Sequence, residues 1–524
     1  MGPESIVLAL AHLLLASTLL YLYSRLRLHL TRSKTKKAHG CLPPAQYKQW
    51  ENVIGIQYFL KRIQVAKSDR LLQDGLNRYK QYGNTYSVST MGSTIYLTIE
   101  PENVKAVLST HFEDYILGSR LKAFGPLLGS GIFTTDGSQW QVRKYIRPVH
   151  VTTLANIPKH SRAMIRPTFK KAQLLDLSLI ETHVQHLISH IPRKTTVDLQ
   201  PLFFQLTIDS VTEFLLGESV NSLGTDVQTK SDDFGTQFDL AQDGLTTRFR
   251  LGPLRGLYRN KLFSQACRFC HSYVDQYVKR ALDRRQRGTL DAEKENNVSY
   301  VFLDELAKET DDPLVLRNEL MNILLAGRDT TASLLSNLFV ILSKRPDLWK
   351  RLQEEVQGLQ GKRPTYDTLR GLSFLRHLLN EFNEAHEALR LHPVIPGNGR
   401  ESLRDTILPV GGGPDGKSPI FIPRGARVAY TVYAMHRRED IFGPDAEEFN
   451  PDRWHTIRPG WGYLPFNGGP RICAGQQYAL TVAEYTIVRL VQTFTEIEDC
   501  GGQEWNGKIR LTMCSLDGTK VRLS

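Results

Sequence analysis

Apolar residues recur at helical spacing over residues 170–220, 255–285, 312–345 and 474–495, and a stripe repeating near every 3.6 positions predicts helices that bury one face. Two stretches, 80–110 and 396–432, are instead rich in Val, Ile, Thr and Tyr between Gly and Pro, so they are expected to form small sheets. Residues 285–299 carry almost no apolar side chain and read as a solvated loop. The longest helical pattern begins at Asp312 and Pro313, a strong start signal, and runs to about Arg345 before Pro346. That is about 33 residues, roughly 50 Å at helical rise, and only a large body buries such a helix. No repeat of about 20–50 residues is present. The pattern predicts one mainly helical domain with small β-sheets.

The N-terminus breaks this pattern. Residues 5–24 contain no Asp, Glu, Lys or Arg, and 20 such residues at helical rise match a bilayer core. Arg25, Arg27, Arg32, Lys34, Lys36 and Lys37 follow. A cleaved signal peptide carries its charges before the apolar run, so the order here predicts an uncleaved transmembrane helix. The positive-inside bias then places the body in the cytoplasm, as in a single-pass protein of the endoplasmic reticulum; a buried terminal helix is the alternative. The expected organisation is an anchor at 1–24, a basic, Pro-containing linker at 25–45 with Gly40-Cys41-Leu42-Pro43-Pro44 as a stiff spacer, and a body at 46–524.

Composition narrows the class. In 524 residues, 41% are hydrophobic and 23% charged, which excludes collagen, a disordered chain and a multi-span membrane protein. The net charge of +12 suits an acidic partner or an anionic membrane face. Six cysteines (Cys41, Cys267, Cys270, Cys473, Cys500 and Cys514) are too few and too scattered for a disulfide framework and point to a reducing compartment.

Three short motifs compete for the chemistry. Residues 411–418, Gly-Gly-Gly-Pro-Asp-Gly-Lys-Ser, satisfy the phosphate-loop pattern. That loop requires a helix to start at its Lys-Ser, whereas Pro419 and the strand-like Ile420-Phe421-Ile422 follow, so a turn between strands is expected. Cys267-Arg268-Phe269-Cys270-His271 matches the covalent haem-attachment spacing. It falls inside a continuous amphipathic helix on the cytoplasmic side of the expected anchor, so its cysteines read as core positions. The third motif is Phe466-Asn467-Gly468-Gly469-Pro470-Arg471-Ile472-Cys473-Ala474-Gly475, leading into an apolar helix from about Gln476. A cysteine at a helix N-terminus beside an arginine has its thiolate stabilised by dipole, amides and charge, which makes a soft metal ligand. From residue types alone, a buried structural cysteine remains the alternative.

The third motif resembles the haem-binding signature Phe-x-x-Gly-x-Arg-x-Cys-x-Gly of the cytochrome P-450 monooxygenases, with every fixed position filled. The resemblance implies that fold, with haem b as cofactor, and Cys473 as the axial ligand of its iron, pushing electron density towards the metal. It assigns Phe466, Gly469, Arg471 and Gly475 to the cofactor. Ala326-Gly327-Arg328-Asp329-Thr330-Thr331, mid-way along the long helix, looks like the oxygen-binding stretch of the family. There the resemblance makes Thr330 a donor to bound dioxygen and Asp329 a proton relay. Glu387-Ala388-Leu389-Arg390 resembles the Glu-x-x-Arg motif, with Arg453 as its partner, and Arg400 matches a propionate-binding position. The Trp-x-x-x-Arg pair of the family, also propionate ligands, maps onto Trp140 and Arg162 only if residues 141–158 are an insertion. Pro148, Pro158 and several β-branched residues there oppose helix continuation, which suggests a retained intron or misplaced exon boundary, and a non-functional product if it is translated. A smaller irregularity spans 382–387.

Several stretches, among them residues 39–44, 131–137, 159–167, 207–217 and 408–423, are similar to the fungal subgroup that hydroxylates n-alkanes and fatty acids at or near the terminal carbon. Another lipophilic metabolite is the alternative substrate. Selectivity is expected to depend on the segment before Trp140, on Leu325 and Ala326, on 394–398 and on the turn at 513–517. No Gly-x-Gly-x-x-Gly unit follows a strand, so electrons are expected from a separate NADPH-cytochrome P-450 reductase. The expected partners are that reductase, the membrane and a lipophilic substrate, without nucleic acid.

Overall fold

The computed structural model describes residues 3–137, 165, 177–224, 233–290, 300–379, 387–502 and 504–524. At its centre is the helix Pro313–Lys344. Asp312 caps it, its Oδ1 accepting the Leu314 and Val315 amides at 2.9 and 3.3 Å, and Pro313 occupies the first turn, where no amide is needed. The next helix, Pro346–Gln357, starts immediately beyond Arg345. Apolar side chains all round the central helix are buried, against Leu199–Leu216 on one side, Lys261–Gln286 on another and Gln476–Thr493 on a third. Two helical cores result, one around Leu338, Phe339 and Val488, the other around Phe214, Phe238 and Leu320.

The expected helix over 170–220 is two helices, Ser178–Ser189 and Leu199–Leu216, with the strand Thr196–Asp198 between them. Phe234–Leu251, which was not expected from the pattern, is a further helix, capped by Asp233, whose carboxylate accepts the Thr236 amide. The stretch 255–285 becomes a short 3-10 segment, Gly252–Leu257, followed by Lys261–Gln286. Of the loop expected at 285–299, residues 291–299 lie outside the described residues.

Both expected β regions contribute strands to one mixed six-stranded sheet, although Pro101–Lys105 and Ala106–Thr110 of the first are helical and Thr406–Gly412 and Ser418–Ile422 of the second form a separate hairpin. Thr85–Thr90 and Ser93–Thr98 form an antiparallel hairpin, Arg427–Tyr430 runs parallel to the latter, and Asn398–Ser402 pairs antiparallel to Arg427–Tyr430. Successive residues of a strand alternate faces, which sends Asn398, Arg400 and Tyr430 into the cavity described below. A third core lies under this sheet, around Tyr86, Val88 and Val428.

The phosphate-loop look-alike is the turn of the hairpin Thr406–Gly412/Ser418–Ile422, closed by the Gly411 amide on the Gly416 carbonyl at 2.7 Å. Gly411, Gly413 and Gly416 all take positive φ there, the turn conformation that glycine permits. Cys267 and Cys270 are buried on the helix Lys261–Gln286; burial pushes the Cys267 thiol up to about 12, and His271 donates to the Leu127 carbonyl at 2.7 Å. These are core positions.

The N-terminal helix differs from expectation in length. It runs Pro3–Ala38, so the basic stretch expected as a linker continues the helix. Among the described residues no helix is long and apolar enough to cross a membrane. Leu13, Leu14, Leu19, Leu20 and Tyr23 are nonetheless exposed. Its basic end is docked: Arg32 forms a two-pronged bond to Asp405 at 2.8 and 2.9 Å, and Lys36 lies 5.3 Å over the Phe421 ring. Bidentate geometry of this kind fixes direction as well as position.

Candidate active site

The loop leading to Cys473 is shaped by its own backbone. The Cys473 amide donates to the Phe466 carbonyl and the Ile472 amide to the Gly469 carbonyl, both at 3.0 Å. Asn467 adopts φ 64° and accepts the Tyr430 hydroxyl at 2.9 Å, tying the loop to the sheet. Gly475 then caps the helix Gln476–Thr493, which leaves Cys473 at the positive end of that helix. Gly469, assigned to the cofactor by sequence, packs tightly against backbone. It has φ +66°, and a side chain there would overlap the Leu108 carbonyl oxygen, so it lets the loop pack on the Ala106–Thr110 turn.

Phe466, Arg471, Cys473 and Gly475 line one side of a cavity of about 280 Å³. Ala326, Gly327 and Thr330 of the central helix line the same cavity. The Thr330 hydroxyl donates to the Ala326 carbonyl at 2.7 Å, which fixes its oxygen towards one turn of the helix. Gly327 also permits close packing, since a Cβ would come 2.7 Å from Val211 Cγ2. Asp329, expected beside Thr330 as a relay, is buried away from the cavity. Its carboxylate accepts Gln242 Nε2 at 3.3 Å and Arg328 Nη1 at 3.1 Å, and Arg328 continues to Asp239 nearer the surface. Burial raises the pKa of Asp329 against the lowering effect of Arg328.

One end of the cavity is cationic. Arg120, Arg400 and Arg471 all line it. Arg471 also bonds the Thr135 carbonyl and Asp136 at 2.8 and 3.1 Å, but neither Arg120 nor Arg400 has a carboxylate partner among the described residues. Burial, then the charge of Arg400, pushes Arg120 down to about 9, and Arg400 Nε is buried without a hydrogen-bond partner. Arg400 is buried and Arg120 and Arg471 partly so, and positive charges grouped in this way suit an anionic ligand. A flat cofactor with two carboxylates at one edge would suit both the arginines and the cysteine that line this cavity. Arg120 was not legible in the sequence. Replacing it by Gln is expected to weaken retention of such a cofactor about tenfold or more, the value of one charge-assisted hydrogen bond; transfer to an apoglobin acceptor measures it.

Behind the cysteine loop lies a fully buried ionic knot. Glu387 accepts Arg390 Nε and Nη2 at 2.8 and 2.7 Å, Arg453 Nε at 3.1 Å, Trp454 Nε1 at 3.1 Å and the Asn450 amide at 2.9 Å. Arg390 further donates to the carbonyls of His436, Ala446 and Glu448. His436 completes the link: burial drives its pKa down to about 3, so it is neutral, donating Nδ1–H to the Arg390 carbonyl and accepting the Leu464 amide on Nε2 at 2.9 Å. Leu464 opens the cysteine loop, so the knot holds that loop through His436. Sequence spacing makes Glu387 and Arg390 resemble a surface pair, but both side chains are 0% exposed.

The other expected positions divide. Val394 and Asn398 line the cavity, whereas Leu325 packs into the helical core and Met513 supports Val394 from behind through its amide, at 2.8 Å from the Val394 carbonyl. Trp140, Arg162 and the insertion 141–158 lie outside the described residues, as do 382–386.

A family model, Cytochrome P450, matches residues 54–513. The chain belongs to the cytochrome P450 family. It is 45% identical over 489 residues to "Cytochrome P450 monooxygenase himC" of Aspergillus japonicus, covering 92% of this chain and 84% of that protein. It is 40% identical over 513 residues to "Cytochrome P450 52A13" of Debaryomyces hansenii (94% and 93%) and 43% identical over 457 residues to "Cytochrome P450 52A10" of Candida maltosa (84% and 83%). This cytochrome P450 is therefore an oxidoreductase of the monooxygenase class that uses haem b and takes electrons from a reductase. Bound haem supplies the oxygen chemistry; the cationic end, the accessible thiol and the close helix fit that group.

Proposed function

We propose that this cytochrome P450 hydroxylates long aliphatic chains, n-alkanes or fatty acids, at or near the terminal carbon. Cys473 would ligate the haem iron through its thiolate, and Arg120, Arg400 and Arg471 would hold the propionates. Thr330, once its hydroxyl turns from the Ala326 carbonyl, would donate a hydrogen bond above the haem, and Asp329, behind the cavity wall beside Arg328 and Asp239, would be the proton source for that side. The observation that carries the substrate reading is the wall beyond the haem position: Ile132, Phe133, Val211, Ile323, Leu334 and Val394 are all apolar. Such a wall binds a chain by burial alone, at about 0.8 kcal/mol per CH₂. A terminal methyl is then oxidised only if the wall holds the chain end-on, which is a matter of orientation.

The exposed leucines of Pro3–Ala38 support a place on the membrane of the endoplasmic reticulum with the body facing the cytoplasm, where an apolar chain partitions directly from the bilayer. NADPH-cytochrome P-450 reductase is the electron donor in this reading. The test is turnover by the full chain with reductase and NADPH, offered n-alkanes, fatty acids and a rigid steroid. The expected result is NADPH-dependent hydroxylation of the flexible chains with oxygen at or next to the terminal carbon. Preferential oxidation of the steroid would reject the reading in favour of another lipophilic metabolite.

A further inference from the structure

Asn322 lies on the central helix one turn before Ala326, is 0% exposed and borders the cavity. Its hydrogen bonds run to backbone. Its Nδ2 donates to the Leu128 carbonyl at 2.9 Å and to the Asn318 carbonyl at 2.7 Å, and its Oδ1 accepts the Phe133 amide at 3.1 Å. The segment it grips is a unit in itself. Thr134 Oγ1 accepts the Gly131 amide at 2.9 Å and donates to the Gly129 carbonyl at 2.7 Å, while Thr135 Oγ1 donates to the Gly131 carbonyl at 2.8 Å.

The fit to the helix is close on both flanks. Gly129 has φ +57°, and a Cβ there would overlap the Asn318 amide; a Cβ on Gly131 would overlap the Asn322 amide. From the other side Arg471 donates to the carbonyls of Ile132 and Thr135 at 3.4 and 2.8 Å. The turn is thus clamped between the central helix and the cysteine loop, and the two side chains it presents to the cavity are Ile132 and Phe133.

We infer that Asn322 is a positioning residue for substrate specificity: by pinning the turn at 129–135 it sets where Ile132 and Phe133 stand, and so admits a slender chain and rejects a bulky ligand. A side-chain amide suits the task because it satisfies one donor and two acceptors of buried backbone, which an apolar residue would leave unpaired. The inference rests on the aliphatic-chain reading for its substrate class, but its test does not use turnover.

The test compares the full-length holoprotein with Asn322→Leu, which removes the grip, and with Gly131→Ala, which forces the turn off the helix while leaving Asn322 in place. Two readouts are taken: hydrogen exchange at the Phe133 amide, and the spectral dissociation constants of N-dodecylimidazole and N-tritylimidazole. Expected for both variants is exchange at Phe133 faster by about tenfold or more, as for loss of one buried hydrogen bond, and a preference for the dodecyl ligand that narrows about tenfold. Unchanged exchange overturns the grip. Faster exchange with an unchanged ligand preference overturns the specificity role, and neither outcome bears on which natural substrate is oxidised.

Discussion

Arg390→Lys is expected to leave most of the chain without haem, although the substitution keeps the charge and sits behind the cysteine loop rather than in the cavity. The guanidinium reaches both oxygens of Glu387 and three separate carbonyls, those of His436, Ala446 and Glu448. A lysine ammonium is a compact charge with three donors and no planar fork, so buried acceptors go unpaired. Breaking a fully buried ion pair costs about 3–5 kcal/mol, a large share of the 5–15 kcal/mol that holds a typical domain together. The first consequence is loss of the guanidinium bond to the His436 carbonyl, which loosens the residue that holds Leu464 and with it the loop that presents Cys473. The ratio of haem absorbance to protein measures this. Arg345→Lys is the internal control, because the Arg345–Asp347 pair is 42% and 56% exposed and such pairs contribute less than about 1 kcal/mol.

The second large effect separates holding the haem from using it. Cys473→His is expected to retain haem in a large share of the chains yet reduce oxygenation to background. Retention follows because Arg120, Arg400 and Arg471 at the cationic end and the apolar walls are untouched. Activity fails because the thiolate's electron push, which favours O–O cleavage, is lost and a neutral imidazole does not match it. Product formation and haem content, measured on the same preparation, check both halves.

Much of this site was legible because the residues carry their signals locally. Asp312-Pro313 and Pro346 mark both ends of the central helix, and the phosphate-loop and Cys267/Cys270 look-alikes were readable as decoys from the strand or helix around them. What stayed hidden depends on tertiary convergence. Arg120 follows Ser119 at the start of a helix, and nothing near it in sequence marks it until Arg400 and Arg471 arrive from elsewhere in the chain. Asn322 is one polar residue on an apolar helix, and its partners Leu128 and Phe133 are nearly 200 positions away. The Glu-x-x-Arg resemblance groups Glu387, Arg390 and Arg453 from sequence, but the spacing alone carries no sign of burial, which the packing of Phe442 and Trp454 supplies. Gly469, expected at the cofactor, packs against the Leu108 backbone, and a glycine against backbone and a glycine against a cofactor look alike in sequence.

The most direct test of the account is the carbon monoxide difference spectrum of the reduced full-length chain in membranes, beside Cys473→His. The account predicts a strongly red-shifted Soret band in the unmodified chain and its loss in the variant, the signature of thiolate on iron. An unshifted band in the unmodified chain, or a shifted band that survives in the variant, would contradict the assignment of Cys473 and with it the site built around that residue.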